Sequence, residues 1–225
     1  MFNWSGGKDS ALALSTVLRK REFDVVSLFT MIDEGTLKSS VHSIPVEIIA
    51  RQAESIGIPL YTKGFAADFK DYDKRMREVG GFFKSRGVTH FIFGDILLSN
   101  ARVLRKRLFN PMGIEVVEPL WNKTSEEVMD IYLKSGIKSK VVVVQADKLD
   151  KASVGADLNV DFIKTLPHGV DCCGEYGEYH SLSYGGYPFR KEVSCSLGET
   201  CKVARDIRLS DGQTRTFEYW KACIV

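Results

Sequence analysis

The chain has 225 residues, 44% of them hydrophobic and 27% charged, which excludes a disordered or fibrous sequence and allows one large domain or two smaller ones. Its formal net charge of +2 gives no strong electrostatic pull toward nucleic acid or a membrane surface. No apolar run approaches the roughly 20 residues of a membrane span, and no signal peptide is expected because the first strand begins at Met1.

In chain order, residues 2–4 read as the end of a buried strand, Ser5-Gly6-Gly7-Lys8-Asp9-Ser10 as a turn, and residues 11–18 as a helix. Residues 24–32, rich in β-branched and aromatic side chains, form a second strand. Pro45 opens a helix over 46–56 that Gly57 stops, and 58–61 is a short third strand. A charged amphipathic helix covers 68–86, a fourth strand 89–93, a basic helix 100–109 and a fifth strand 114–120. Such β-α-β units imply a parallel twisted sheet with helices on both faces, the Rossmann-like α/β class. Ligands of such sheets bind beyond the carboxyl ends of the strands, where the 5–10 turn and Gly94-Asp95 both lie.

The pattern changes after Trp121. Thr124-Ser125-Glu126-Glu127 has the form of a capping box opening a helix to Ser135, with Gly136 as its stop. A strand over 140–145 and a helix over 160–165 follow, and two strand-like runs come after the 172–188 segment. The expected organisation is an α/β domain over 1–122 and a smaller α+β domain over 123–225. The five cysteines (Cys172, Cys173, Cys195, Cys201 and Cys223) are odd in number and confined to that second part. They suit a reduced cytoplasm better than a disulfide framework.

The 5–10 turn carries the clearest chemistry. A glycine-rich turn between strand and helix aims backbone N–H groups, backed by the positive helix end, at one point. Lys8 adds a charge, Ser5 and Ser10 add hydroxyls, and Asp9 repels a phosphate unless Mg²⁺ lies between them. The spacing fits neither the Walker A pattern nor G-x-G-x-x-G. The second informative stretch is Gly169-Val-Asp-Cys-Cys-Gly-Glu-Tyr-Gly-Glu-Tyr-His-Ser181. Glu175 and Glu178 can accept a proton from ammonia and His180 can bind phosphate or shuttle a proton. On composition alone, a turn with solvated glutamates is an equal reading.

Residues 5–10 resemble the S-G-G-x-D-S loop of the N-type ATP pyrophosphatases, the PP-loop superfamily, which split ATP into AMP and pyrophosphate. Cys173-Gly-Glu-Tyr-Gly-Glu-Tyr-His180 resembles the C-G-E-x-G-E-[FY]-H motif of the diphthine–ammonia ligase family. Gly94-Asp95-Ile96, Glu118-Pro-Leu-Trp121 and Val41-His42 match that family as well. One departure is that Val41-His42-Ser43-Ile44 stands where a Met-His-Gly-like turn is expected, so a structural histidine is an alternative for His42.

The resemblance implies an N-terminal ATP-pyrophosphatase domain and ATP-dependent amidation of diphthine, a modified histidine on a translation elongation factor, by ammonia. It implies that Ser5, Gly6, Gly7, Lys8, Asp9 and Ser10, with His42, Gly94 and Asp95, hold ATP, and that Asp9 and Asp95 serve Mg²⁺. Cys173, Gly174, Glu175, Gly177, Glu178 and His180 would line the acceptor site. Lys8, Asp9, Glu175 and Glu178 would carry the catalysis. Arg102 and Arg105, one helical turn apart, are candidates for binding phosphate or an acidic substrate, against the plainer reading of a solvated helix face. The alternatives are a PP-loop enzyme acting on a small metabolite or tRNA base, and a non-catalytic adenine-nucleotide sensor. Nucleic acid is not expected as a partner, nor a membrane. A cytoplasmic homodimer is.

Overall fold

Alternate strand side chains join two separate buried clusters, one on each face of the first sheet. A computed structural model of the chain describes residues 1–39, 42–66, 71–97, 99–208 and 213–225. The first part runs β1 (Phe2–Asn3), α1 (Lys8–Lys20), β2 (Leu28–Asp33), β3 (Lys38–Ser39), α2 (Val46–Ile56), β4 (Leu60–Phe65), α3 (Tyr72–Lys84), β5 (His90–Ile92), α4 (Ser99–Phe109) and β6 (Glu115–Val117). β4, β2, β1, β5 and β6 are neighbours in that order and parallel, and the short β3 lies antiparallel to the end of β2.

Along these strands Phe2, Leu28 and Ile92 point to the face covered by α1 and α2. Met1, Phe29, Phe91 and Phe93 point to the opposite face, where α3 and α4 supply Met76, Val79, Phe83, Leu108 and Phe109. Helices therefore cover both faces, as a buried parallel sheet requires. The strand order reverses direction at β1, so the loop leaving β1 sits at the topological switch point. β1 ends at Asn3, while β2 continues to Asp33 and pairs there with β3. The early end of β1 opens a gap above the sheet between the 5–7 loop, β3 and β5.

The second part runs α5 (Ser125–Ser135), β7 (Lys138–Gln145), α6 (Val160–Thr165), β8 (Tyr179–Gly185), β9 (Leu197–Arg208) and β10 (Thr214–Ile224). Its four strands form an antiparallel sheet in the order β8, β7, β10, β9. Val141 to Val144, Leu182 and Tyr219 share one buried cluster with Leu12 and Leu14 of α1 and Ile48 and Ile49 of α2. The two sheets thus close on the α1–α2 layer. Among the described residues no helix is long and apolar enough to cross a membrane.

Local signals set several boundaries. Pro45 precedes α2 and Gly57 ends it at φ 80. Thr124 and Glu127 form a reciprocal capping box at the start of α5. The expected second strand starts later, at Leu28, because β1 offers pairing partners only from Phe2 onward. The third shifts from 58–61 to Leu60–Phe65, following its full pairing with β2. The described part of the long charged helix starts at Tyr72, and the expected start at Asp68 lies outside the described residues, as does Val41. β3 and β8 were not expected: one is two residues long, and the other carries His180, Ser181 and Ser183 where a strand core would show aliphatics.

Candidate active site

The chain leaves β1 at Trp4, whose N–H donates to the Phe29 carbonyl at 2.7 Å and whose carbonyl accepts from the Thr30 hydroxyl at 2.6 Å. Gly6 then turns at φ 82, and a Cβ there would stand 2.8 Å from Gln52 Oε1, Ile44 and Ile49. Gly7 has an ordinary φ of −92, but a Cβ would come 2.3 Å from Cε1 of His42. One glycine is needed for backbone conformation and the other for space. Gly94, at the end of β5, is needed for space too: its Cβ would meet Ser10 Cα at 3.0 Å. Ser5 donates to Ser10 and Ser10 to the Gly7 carbonyl, both at 3.0 Å, which closes the turn on itself.

The turn opens α1 without a side-chain cap from Gly7. Instead the Lys8 N–H donates to Oγ of Ser181 on β8, at 3.1 Å. Lys8 Nζ contacts both oxygens of Asp9, at 2.9 and 2.7 Å, and lies 5.5 Å from the centre of the Tyr179 ring. Burial opposes the Lys8 charge, but the carboxylates of Asp9 and Glu175 outweigh it and hold the pKa above the ordinary lysine value.

These groups line a cleft of about 300 Å³. Ser5, Lys8, Asp9 and Ser10 form one wall, with Gly94, Asp95 and Arg105 beside them. Cys173, Gly174, Glu175, Gly177 and His180 form the opposite wall, and His42 joins at the edge. The two motifs, about 165 residues apart in sequence by their numbering, therefore meet in one cleft. Trp4, Thr30, Met31, Ser39, Tyr72 and Ser181 also line it and were not singled out from sequence. Ser181 had a signal, since it directly follows His180. Trp4, Thr30, Met31 and Ser39 lie in or beside β1 to β3 and Tyr72 starts α3, none with a chemical mark in the sequence.

The 171–178 loop is organised by its own acids. Asp171 Oδ1 accepts from the N–H groups of Cys173 and Glu175, at 2.9 and 3.0 Å. Glu178, expected beside the acceptor, is buried and turned inward: its two oxygens accept from the N–H groups of Asp171 and Tyr176, at 3.3 and 3.0 Å. It does not line the cleft, and its carboxylate shapes the loop. Glu175 does face the cleft, and its Oε1 accepts from the Leu97 N–H at 3.2 Å. Burial, and then the neighbouring Asp9 charge, push its pKa above the ordinary glutamate value. Cys173 gives its Sγ–H to the Ser125 carbonyl at 3.1 Å, and burial pushes the thiol far up, so it stands as a neutral donor.

Arg102 and Arg105 were expected to reach substrate. In the structure Arg105 ion-pairs with Asp95 and lies 3.7 Å from Glu118, while Arg102 lies 2.8 Å from Glu118, whose side chain is 1% exposed. These contacts have ion-pair distance without aligned hydrogen-bond geometry. Arg102 also covers the Trp121 ring at 4.2 Å and Arg105 the Phe93 ring at 4.1 Å. Arg102 does not line the cleft, and Asp95 is neutralised by Arg105. Both acids expected to serve Mg²⁺ line the cleft, and each is ion-paired, Asp9 with Lys8 and Asp95 with Arg105. Among the described residues no group of three His, Cys, Asp or Glu side chains is placed to hold a metal.

His42 Nδ1 faces the Ser181 carbonyl at 2.9 Å, so that nitrogen carries the proton, and its ring centre lies 5.1 Å from that of His180. Burial lowers both pKa values, His180 strongly, and each also feels the Lys8 charge. The folded protein thus binds fewer protons here than the unfolded chain, so stability is full above the ordinary histidine value of 6.5 and falls as pH drops below it. Thermal unfolding at pH 7.5 and 5.5 should show a clear drop at the lower pH. His180→Asn should shrink that drop, and an unchanged drop would contradict the assignment.

Comparison with known proteins adds to this geometry. The family described as the diphthamide synthase N-terminal domain matches residues 1–116. The diphthine–ammonia ligase of Bos taurus is 24% identical over 153 residues, covering 66% of this chain and 56% of that protein. The chain thus matches just over half the length of that curated relative. A solved structure titled as a predicted subunit of tRNA methyltransferase from Methanocaldococcus jannaschii aligns with a TM-score of 0.45 and 15% identity, covering 83% of this chain and 96% of that one. With a family match over more than half of its length, the chain belongs to the diphthamide synthase N-terminal domain family, of PP-loop type.

Proposed function

We propose that the chain is an ATP-dependent, AMP-forming amide ligase that adenylates the carboxylate of a diphthine-like acceptor and transfers ammonia to it. In this reading residues 1–122 take the nucleotide and 123–225 bring the acceptor. The observation that carries it is the cleft itself. The cramped Gly6–Gly7 turn and Lys8 stand on one wall and Glu175, a carboxyl of raised pKa, on the other.

The triphosphate lies along the start of α1, where the positive helix end and Lys8 stabilise its charge. Asp9 is the residue that would hold Mg²⁺, and one carboxylate is an adequate protein share for that ion. When bound, Mg²⁺ neutralises charge on the departing pyrophosphate. The acceptor carboxylate attacks the α-phosphorus, the α–β bond breaks, and pyrophosphate leaves. Ammonia then attacks the acyl carbon, the C–O bond to AMP breaks, and Glu175 takes the proton released from nitrogen. No protein nucleophile is used, which suits the buried, neutral Cys173.

The test is a product analysis with ATP, Mg²⁺, ammonium and a diphthine-bearing acceptor protein. AMP and amide in equal amounts are expected, dependent on the acceptor. ADP as the product nucleotide would contradict the reading.

A further inference from the structure

The only polar side chain that bridges the 5–7 turn and β8 from behind is Gln52, among the described residues. It stands on the apolar face of α2 between Ile48, Ile49, Ala53 and Ile56, and is fully buried. Its Oε1 accepts from Trp4 Nε1–H at 2.9 Å. Its Nε2 donates to the Gly6 carbonyl at 3.1 Å and to the Ser183 carbonyl at 2.6 Å. Both amide hydrogens and one acceptor position are therefore used, which no other uncharged side chain of this length achieves. The Gly6 carbonyl receives a second donor, the Ser183 N–H at 2.8 Å, and the Ser183 hydroxyl is itself tied to Ser139 at 2.8 Å.

We propose that Gln52 is the positioning residue of the phosphate cradle, acting through the plane of the Gly6–Gly7 peptide. That peptide is planar and trans, so its N–H points opposite to its carbonyl. Two donors hold the Gly6 carbonyl toward α2 and β8, which turns the Gly7 N–H away from them, toward Ser5 Oγ at 3.3 Å and the cleft that Ser5 lines. A glycine pair has little conformational preference of its own, so the direction of this N–H depends on what grips the carbonyl. The same amide grips β8 two residues beyond Ser181, whose hydroxyl takes the Lys8 N–H. One side chain thereby sets the cradle and the strand carrying His180 in a fixed relation.

The inference rests on reading the turn as a phosphate site, and the isosteric Gln52→Glu variant separates the two. An ionised carboxylate keeps the Trp4 contact but faces two carbonyl oxygens with no hydrogen to give. When protonated it recovers one donor. Binding of α,β-methylene ATP, measured by calorimetry from pH 6 to 8.5, is compared with wild type at each pH. Lys8 on α1, His42 before α2 and His180 on β8 are the titratable neighbours of the interlock, and the ratio to wild type cancels their common effect. The Gln52→Glu deficit should grow with pH to about tenfold or more. Gln52→Met, which buries no charge, should be about as deficient at every pH. Failure of the wild type to bind would remove the phosphate reading itself. Wild-type binding with Gln52→Glu at wild-type affinity across the whole pH range would overturn the positioning role, whatever the melting temperatures. If Gln52→Glu does not fold, Gln52→Met with wild-type affinity overturns it.

Discussion

Gly7→Ala should lower nucleotide affinity by at least about a hundredfold while leaving a folded protein. The backbone at Gly7 is ordinary for an L-residue, at φ −92, so the added methyl meets no conformational penalty. Its obstacle is the buried His42 ring, with Cε1 2.3 Å and Nδ1 2.8 Å from the new carbon, and behind that the Ser181 carbonyl at 3.1 Å. His42 cannot rotate freely, because Nδ1 is committed to that carbonyl. The loop must move instead, and the loop is the cradle. Gly81→Ala is the matched control: a Cβ there meets nothing within 4 Å in the last turn of α3, so it should stabilise the fold by up to about 1 kcal/mol and leave binding intact. Calorimetric titration with thermal unfolding distinguishes the pair. Wild-type affinity in Gly7→Ala would show that the turn does not hold the phosphates.

The second large effect belongs to Glu175. Glu175→Gln should lower amide formation about 10²- to 10⁴-fold with nucleotide affinity nearly unchanged. Burial and Asp9 raise the Glu175 pKa above the ordinary value of 4.5, so the carboxyl stays protonated to higher pH than usual. Only the ionised form takes a proton from ammonia, so the wild-type rate, divided by the concentration of free NH₃ at each pH, should climb with pH through a midpoint above 4.5. That limb should vanish in Glu175→Gln, which has no titrating group at the position. A limb that persists would assign the base elsewhere. Glu178→Gln gives the contrast: it weakens the brace on Asp171 and Tyr176 and should act on acceptor KM and stability without removing the limb.

Much of the fold was legible because local chemistry and tertiary demand coincide. Pro45, Gly57, the Thr124–Glu127 box and Gly136 bound their helices in sequence and in structure alike. The 5–10 turn was legible for the same reason, since its glycines answer to contacts that leave no room for side chains. What stayed hidden depends on partners distant in the chain. β8 reads as a polar loop until Ser181 and Ser183 are seen to serve the Lys8 N–H, the Gly6 carbonyl and Gln52. Gln52 itself was visible only as a polar residue on an apolar helix stripe. The charged residues show the opposite limit: motif resemblance and helical spacing offer Glu178, Arg102 and Arg105 as substrate contacts, whereas burial turns Glu178 onto its own loop and the arginines pair with Asp95 and Glu118. A side chain's type states what it can bind, and packing decides which partner it meets.

The central claim is that a carboxylate is adenylated in this cleft before ammonia enters. Exchange of labelled pyrophosphate into ATP, with acceptor present and ammonia withheld, measures that step alone, because only a reversible break of the α–β bond can return the label. The account predicts exchange that requires the acceptor and is lost in Gly7→Ala but retained in Glu175→Gln, since Glu175 acts only after the adenylate forms. Absence of exchange in the wild type, with ATP converted to ADP, would contradict it.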